Sequence, residues 1–349
     1  SMYASVSPRV DIYSSPGPDL DAHLERIEGF NARQTGATSW QLRVHPSSNA
    51  FAKMLSEPSG NVVVIAGRNR PKIDYVVGAI DRGLNLLVDK PWIIRSEDLP
   101  RLEGALEVEE SKRIVAFDIM TERFEVTNAL QRILVNDSEI FGSIEAGSAD
   151  DPAVYMRSVH HIVKEAAGAP LWRPAWFFDI AEQGEALADV GTHLVDLSLW
   201  TIFPDTPLDH RRDVRVNAAR RWPTSLTRQQ FLDVTGEVEF PPALSPWVEE
   251  GKLQFFANTA VEFELRGVHV RLEALWDRES KRHGDTHHGV YRGSRSRIGV
   301  RQGADEGWIP EVYVVSNRPE RTNEIAAAVR KRVAALQGRW EGLGVEESG

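Results

Sequence analysis

The chain of 349 residues contains no cysteine, which excludes disulfides, thiolate metal sites and a cysteine nucleophile. This says little about compartment, because a cysteine-free protein folds in cytosol and periplasm alike. No apolar run approaches the roughly 18 residues that a membrane-spanning helix needs. An excess of base is missing too: 41 Lys and Arg stand against 51 Asp and Glu, a net charge of −10. That balance argues against affinity gained by neutralising nucleic-acid phosphates. No G-x-G-x-x-G opens the chain, and neither a Walker A nor a G-x-S-x-G motif occurs. The first residues, Ser1-Met2-Tyr3-Ala4, lack the basic and apolar regions of an export signal. What is present is ordinary for a folded protein, with 42% hydrophobic and 26% charged residues, and the length suggests about two domains.

Along the first part of the chain, short apolar runs alternate with helical patterns. Arg9 to Tyr13 has strand length and is closed by the turn signal Ser15-Pro16-Gly17-Pro18. Leu20, Leu24, Ile27 and Phe30 form a helical stripe. Trp40 to Val44 reads as a strand, Phe51 to Leu55 as a short helix, and Asn61 to Ala66 as a strand covered on both faces. Ile73 to Arg82 predicts a helix stopped by Gly83, then Leu84 to Val88 a strand. Ser96 is placed as the N-cap of a helix running to about Lys112, before a strand at Ile114 to Phe117. Strands alternating with helices over short loops mean a parallel doubly wound sheet. After about residue 140 the character changes. One apolar helix, Ala186 to Ile202, precedes β-rich sequence with a hairpin about Arg266-Gly267 and strands at Val290 to Arg301 and Val312 to Val315. An α+β domain with an open antiparallel sheet fits, ending in a helix from Asn323 to about Gln337.

Four constellations could carry chemistry. Asp89-Lys90-Pro91 lies at the C-terminal end of a predicted parallel strand, where open α/β sheets bind ligands. Lys90 there can donate to a substrate oxygen; the bland alternative is a solvated loop lysine. Asp189 and His193 stand four apart and share a helix face, so the carboxylate can fix the imidazole tautomer and leave the other nitrogen to take a proton. The alternative is a pair satisfying one another, and Asp196 reads as a capping or structural residue. His160, His161 and Lys164, with the aromatic run Trp172 to Asp179, suit stacking and hydrogen bonding to a sugar; the alternative is a buried aromatic layer. His283, Asp285, His287 and His288 with His160, His161 and His193 could be drawn as a metal site of His and carboxylate ligands, but no H-E-x-x-H spacing makes that specific.

Together these residues resemble the Gfo/Idh/MocA oxidoreductase family. Asp81 to Pro91 matches the family's E-K-P segment with Asp89 in place of Glu, and Gln183 to Asp196 matches its catalytic helix G-G-x-x-x-D-x-G-x-H-x-x-D. Arg123-Phe124 corresponds to an Arg-Phe common after the next strand. Gly60 to Arg70, Asp89 to Ile94 and Ala116 to Arg123 look like one bacterial subgroup with its own type of C-terminal domain. The resemblance implies a Rossmann-like dinucleotide-binding domain at 1–121 and an α+β substrate, catalytic and oligomerisation domain at 122–349. It also implies a chain truncated at both ends, lacking the first βα unit, whose strand would be central in the sheet and whose turn would hold a pyrophosphate. Weak dinucleotide binding by the 349 residues is the expected consequence.

The resemblance implies NAD or NADP as cofactor, held by Ser15, Gly67, Asn69, Asp89, Lys90 and Pro91, and a hydride transfer on a sugar, glycoside or polyol. Lys90, Asp189 and His193 are the implied catalytic residues. His160, His161, Lys164, Trp176, Asp179 and Arg123 are candidate substrate contacts. Lys72 stands where many members have His, and no acidic residue ends the Val10 strand, so NAD and NADP are not distinguished. Neither nucleic acid nor membrane is an expected partner; a homo-oligomer through the open sheet is, and a cytoplasmic location is favoured over a periplasmic one. Three alternatives remain: a redox-assisted glycosidase, a non-catalytic sugar-binding protein on the same scaffold, and a metal-dependent hydrolase or isomerase.

Overall fold

The computed structural model describes residues 6–166, 169–279 and 284–347. The chain divides into two compact units, one of residues 1–67, 71–92 and 96–118, the other of 68–70, 93–95 and 119–349.

The first unit alternates β1 (Arg9–Ser14), α1 (Pro18–Asn31), β2 (Gln41–Pro46), α2 (Ala50–Ser56), β3 (Val62–Ile65), α3 (Lys72–Arg82), β4 (Asn85–Asp89), α4 (Leu99–Lys112) and β5 (Ala116–Ile119). The described strands form two sheets, β1–β2 and β3–β4–β5, with β1 parallel to β2 and β3 parallel to β4. Among the described residues no strand bridges the outer edges of β1 and β3. α3 ends where Gly83 takes a left-handed backbone, φ 82°, as its sequence position predicts. Its residues Val76, Ala79 and Ile80 pack with Ile65, Leu86 and Val88 in the core, and Ile73 on the same stripe is buried. Gly78 lets the Phe51 ring of α2 lie against the helix, since a Cβ there would come within 2.9 Å of it. The Ser96 N-cap is not realised: Ser96–Asp98 is a 3-10 turn, and α4 begins at Leu99 with no side-chain cap.

The double coverage predicted for the strand Asn61 to Ala66 is also corrected. α3 and α4 pack together, and one face of the sheet stays bare, with Val62 50%, Val64 62% and Phe117 47% exposed. The apolar run is therefore half buried.

In the second unit α5 (Val126–Val135) and β6 (Val154–Val163) precede α6 (Thr192–Ile202), β7 (Val214–Leu226), α7 (Arg228–Thr235), β8 (Lys252–Leu265), β9 (Val268–Glu279), β10 (Thr286–Arg292), β11 (Ser296–Gln302), β12 (Glu311–Ser316) and α8 (Thr322–Leu336). The main strands are ordered β7–β8–β9–β6–β10–β11–β12. All these neighbours are antiparallel except β9 and β6, which run parallel, so the sheet is mixed where an antiparallel one was expected. Residues Val290 to Arg301, read as one strand, are two strands of a hairpin. The β8–β9 hairpin turns about Arg266 and Gly267, both at positive φ (50° and 83°), as a tight hairpin with right-handed twist requires.

One face of the sheet carries the core, in which Phe177, Phe178, Phe231, Phe255, Leu194, Leu197 and Tyr291 pack together. Burying each such side chain contributes about 1.5–3 kcal/mol. The Tyr291 hydroxyl donates to the Leu197 carbonyl at 3.0 Å and ties α6 to β10. The other face is polar, with Glu273 accepting from Tyr155 and Arg271. No helix of the described residues is long and apolar enough to cross a membrane.

Candidate active site

In the first unit the candidate residues lie at strand ends. β4 carries Leu86 and Val88 into the core and ends in half-buried Asp89 and Lys90, followed by buried Pro91. Gly67, just past β3, has φ 119° and open space where a Cβ would stand. Ser15 is exposed in the turn after β1.

The catalytic-helix motif belongs to the second unit and departs from regular helix. Leu187–Gly191 forms a π-turn, and α6 proper starts at Thr192. Such turns widen a helix locally and are frequent at functional sites. Gly191 accommodates it, because a Cβ there would meet the Leu187 side chain at 2.9 Å. Asp189 lies in the π-turn and His193 in the first turn of α6. Asp196, on the same helix, takes the guanidinium of Arg123 in a two-pronged ion pair, with Nε donating at 2.8 Å. Arg123, expected at the substrate, is thus engaged within the protein.

Asn69, expected at the cofactor, is buried and donates through Nδ2 to the Gln183 carbonyl at 2.7 Å, while the Arg70 N–H donates to the Glu182 carbonyl. Asp179 caps the short helix Ile180–Gln183 by accepting from Ala181 N–H. It also accepts from Trp247 Nε1 at 3.4 Å. Of the aromatic run, Phe177 and Phe178 belong to the core, Trp172 is exposed, and the Trp176 ring lies under the Arg68 guanidinium.

β6 and the start of β10 converge on one carboxylate, Asp285. Its Oδ2 accepts from His160 Nδ1 at 3.0 Å and from Lys164 Nζ at 2.5 Å. Burial alone would raise the carboxyl pKa, but those two partners outweigh it and hold it well below the usual carboxylate range. His160 spends its other ring nitrogen on Ser158 Oγ, 2.9 Å away, and stacks on Trp276 at 5.0 Å. Both nitrogens are used within the protein, so His160 holds Asp285 where a substrate contact was expected. His161 Nδ1 stands 3.5 Å from Asp285 Oδ1, and neither atom makes a hydrogen bond in the structure.

Arg173 feels the charges of both Asp285 and Asp189. Its guanidinium lies over the rings of Phe177 (4.5 Å) and Trp276 (4.9 Å). Burial lowers its pKa, while the charges of Asp189 and Asp285 oppose the shift. Buried polar atoms without partners are rare, yet Asp285 Oδ1, His161 Nδ1, Arg173 Nε and Trp176 Nε1 are all of that kind. His287, paired with Ser158 across the sheet, is pushed down to about 4 by burial and by the neighbouring charges of His288 and His160. It therefore stays neutral at ordinary pH.

Asp285, Trp276 and His287 were not foreseen in these roles. The only sequence signal was the histidine-rich run around them, which also suggested a metal site. Among the described residues no group of three His, Asp or Glu is arranged to hold a metal ion, and His283 lies outside the described residues.

Residues 130–349, well over half of the chain, match the family described as "Putative oxidoreductase C terminal domain". No curated protein matches the sequence. A crystal structure of a putative oxidoreductase from Parabacteroides merdae is 35% identical, covers 99% of this chain and 79% of its own, and superposes with a TM-score of 0.92. Levoglucosan dehydrogenase, in complex with NADH and levoglucosan, is 16% identical over 87% of this chain and 67% of its own, with a TM-score of 0.54. GenD2 from gentamicin A biosynthesis, in complex with NAD, is 15% identical over 88% of this chain and 75% of its own, with a TM-score of 0.51. At those identities the last two show the fold alone. The chain belongs to the oxidoreductase family that carries this C-terminal domain.

Proposed function

We propose that the chain interconverts a hydroxyl and a keto group on a sugar, glycoside or polyol, with NAD or NADP as the hydride carrier. The observation that carries this reading is the group of unsatisfied buried polar atoms at Asp285, His161 and Arg173, linked through the charge of Arg173 to Asp189. Asp285 Oδ1 and His161 Nδ1, 3.5 Å apart and without a hydrogen bond, match a hydroxyl, which donates to one and accepts from the other. Levoglucosan dehydrogenase, of the same fold, binds NADH and a sugar derivative.

The first unit suits the nicotinamide end of a dinucleotide: Gly67 and Asp89-Lys90-Pro91 sit at the C-terminal ends of β3 and β4, where ligands of open α/β sheets bind. It does not suit the pyrophosphate, because residues 1–349 contain no glycine-rich strand-to-helix turn. When bound, the dinucleotide supplies the hydride acceptor. In this reading His193 takes the proton of the reacting hydroxyl, and Asp189 orients the imidazole. Lys90 donates to the substrate oxygen and stabilises the charge that develops there. His161 and Asp285 take further hydroxyls, with Lys164 and His160 fixing Asp285, and Trp176 offers an indole N–H.

The test is sugar-dependent reduction of NAD or NADP at saturating dinucleotide. His193→Ala is expected to lower turnover by about two to four orders of magnitude, and an unchanged rate removes His193 from the mechanism.

A further inference from the structure

Lys72 is 1% exposed, although lysine is among the residues least often fully buried unless it is paired. It is also the first residue of α3, where the helix dipole favours anions and gives a cation nothing. Something must offset that placement. Two backbone carbonyls do so in part: Nζ donates to Asp89 O at 2.9 Å and to Lys90 O at 3.3 Å.

Those carbonyls lie where β4 leaves its ladder. The last β3–β4 pair is Ile65 with Val88, so on that side the strand no longer holds the backbone at Asp89 and Lys90. Nζ replaces the ladder by clamping both carbonyls that flank the Lys90 N–Cα–C unit. The clamp reaches from α3, whose Val76, Ala79 and Ile80 are anchored in the core of the unit. The turn that presents the Lys90 side chain is therefore fixed to a rigid helix. Two charge-assisted hydrogen bonds to buried carbonyls are the kind of contact whose loss is felt locally.

We infer that Lys72 is a positioning residue: it sets the backbone from which Lys90 reaches the substrate oxygen. The functional part rests on the proposed role of Lys90, whereas the clamp itself can be read without substrate.

The test compares wild type, Lys72→Met, Lys72→Arg and Lys72→Gln. Hydrogen exchange of the peptide spanning residues 85–95 is expected to quicken about ten- to a hundred-fold in Lys72→Met, with α4 unchanged. Lys72→Arg, which keeps a cationic donor, should restore protection. Lys72→Gln, which reaches one carbonyl, should be intermediate, and the Arg–Gln comparison decides the matter if the Met variant does not fold. The chain has eight lysines, few enough for their ¹³C-methylated amines to be resolved by NMR, with Lys90→Arg assigning the Lys90 signal. That signal should move in Lys72→Met and return in Lys72→Arg. Wild-type exchange at 85–95 together with an unmoved Lys90 signal would overturn the inference. In turnover, Lys72→Met should lower kcat with little change in the KM for sugar. A loosened turn combined with full activity in Lys90→Met would instead retain the clamp and sink the catalytic role of Lys90.

Discussion

Oδ2 of Asp285 accepts a 3.0 Å hydrogen bond from Nδ1 of His160, a residue 125 positions away in the chain. Because the carboxyl is held ionised, it can only accept, so the imidazole must donate. This pair fixes the carboxylate, whose second oxygen stands 3.5 Å from His161 Nδ1. Asp285→Asn keeps the shape and removes the charge. It should lower stability at neutral pH by about 1–3 kcal/mol, since Lys164 loses its ion-pair partner and half-buried Arg173 a nearby negative charge.

The acid limb of stability provides a second check. The folded pKa of Asp285 is depressed, so its contribution is fully present above the unfolded value of about 4 and is lost as pH falls through the folded one. Denaturant midpoints should fall more steeply below about pH 4 in the wild type than in Asp285→Asn. Parallel profiles would show that Asp285 is not ion-paired in solution.

His287 should titrate near 4 by NMR, because its charged form is disfavoured by burial and by His288 and His160. Its depressed pKa adds stability that is present above the unfolded value of about 6.5 and lost as pH falls toward 4. A midpoint at the ordinary histidine value would place it in water.

On the bare face of β3–β5, Val64→Thr should change stability by no more than about 0.5 kcal/mol. On the covered face, Leu86→Ala should cost about 2–5 kcal/mol. Thermal unfolding of the two variants reads this contrast directly.

Local features of this fold were legible in the sequence and non-local ones were not. α3 carries a 3.6-residue stripe and a terminal glycine, and the β8–β9 hairpin has strict alternation about Arg266-Gly267. Both signals lie within a few residues of what they specify. The bare face was hidden because an apolar run such as Val62 to Ile65 reads the same whether one face is covered or two. Strand order leaves no mark on composition, which concealed the parallel pairing of β6 with β9. The π-turn at Leu187–Gly191 has no periodic signature of its own. Lys90, Asp189 and His193 carry local motif signals in the sequence, whereas Asp285 meets His160 and Lys164 only through folding.

Titration of NADH fluorescence should show that the 349-residue chain binds the dinucleotide more weakly than low micromolar, because no glycine-rich turn is present to receive a pyrophosphate. A low-micromolar affinity would show that other backbone amides do that work.

The central claim is proton transfer at His193 coupled to dinucleotide reduction. It is tested most directly by following NADH or NADPH formation across a panel of sugars and polyols, with wild type and His193→Ala side by side at saturating dinucleotide. Sugar-dependent reduction by the wild type is expected, with a loss of about 10²- to 10⁴-fold in the variant. Equal rates in the two proteins, or no reduction of either dinucleotide with any sugar, would contradict it.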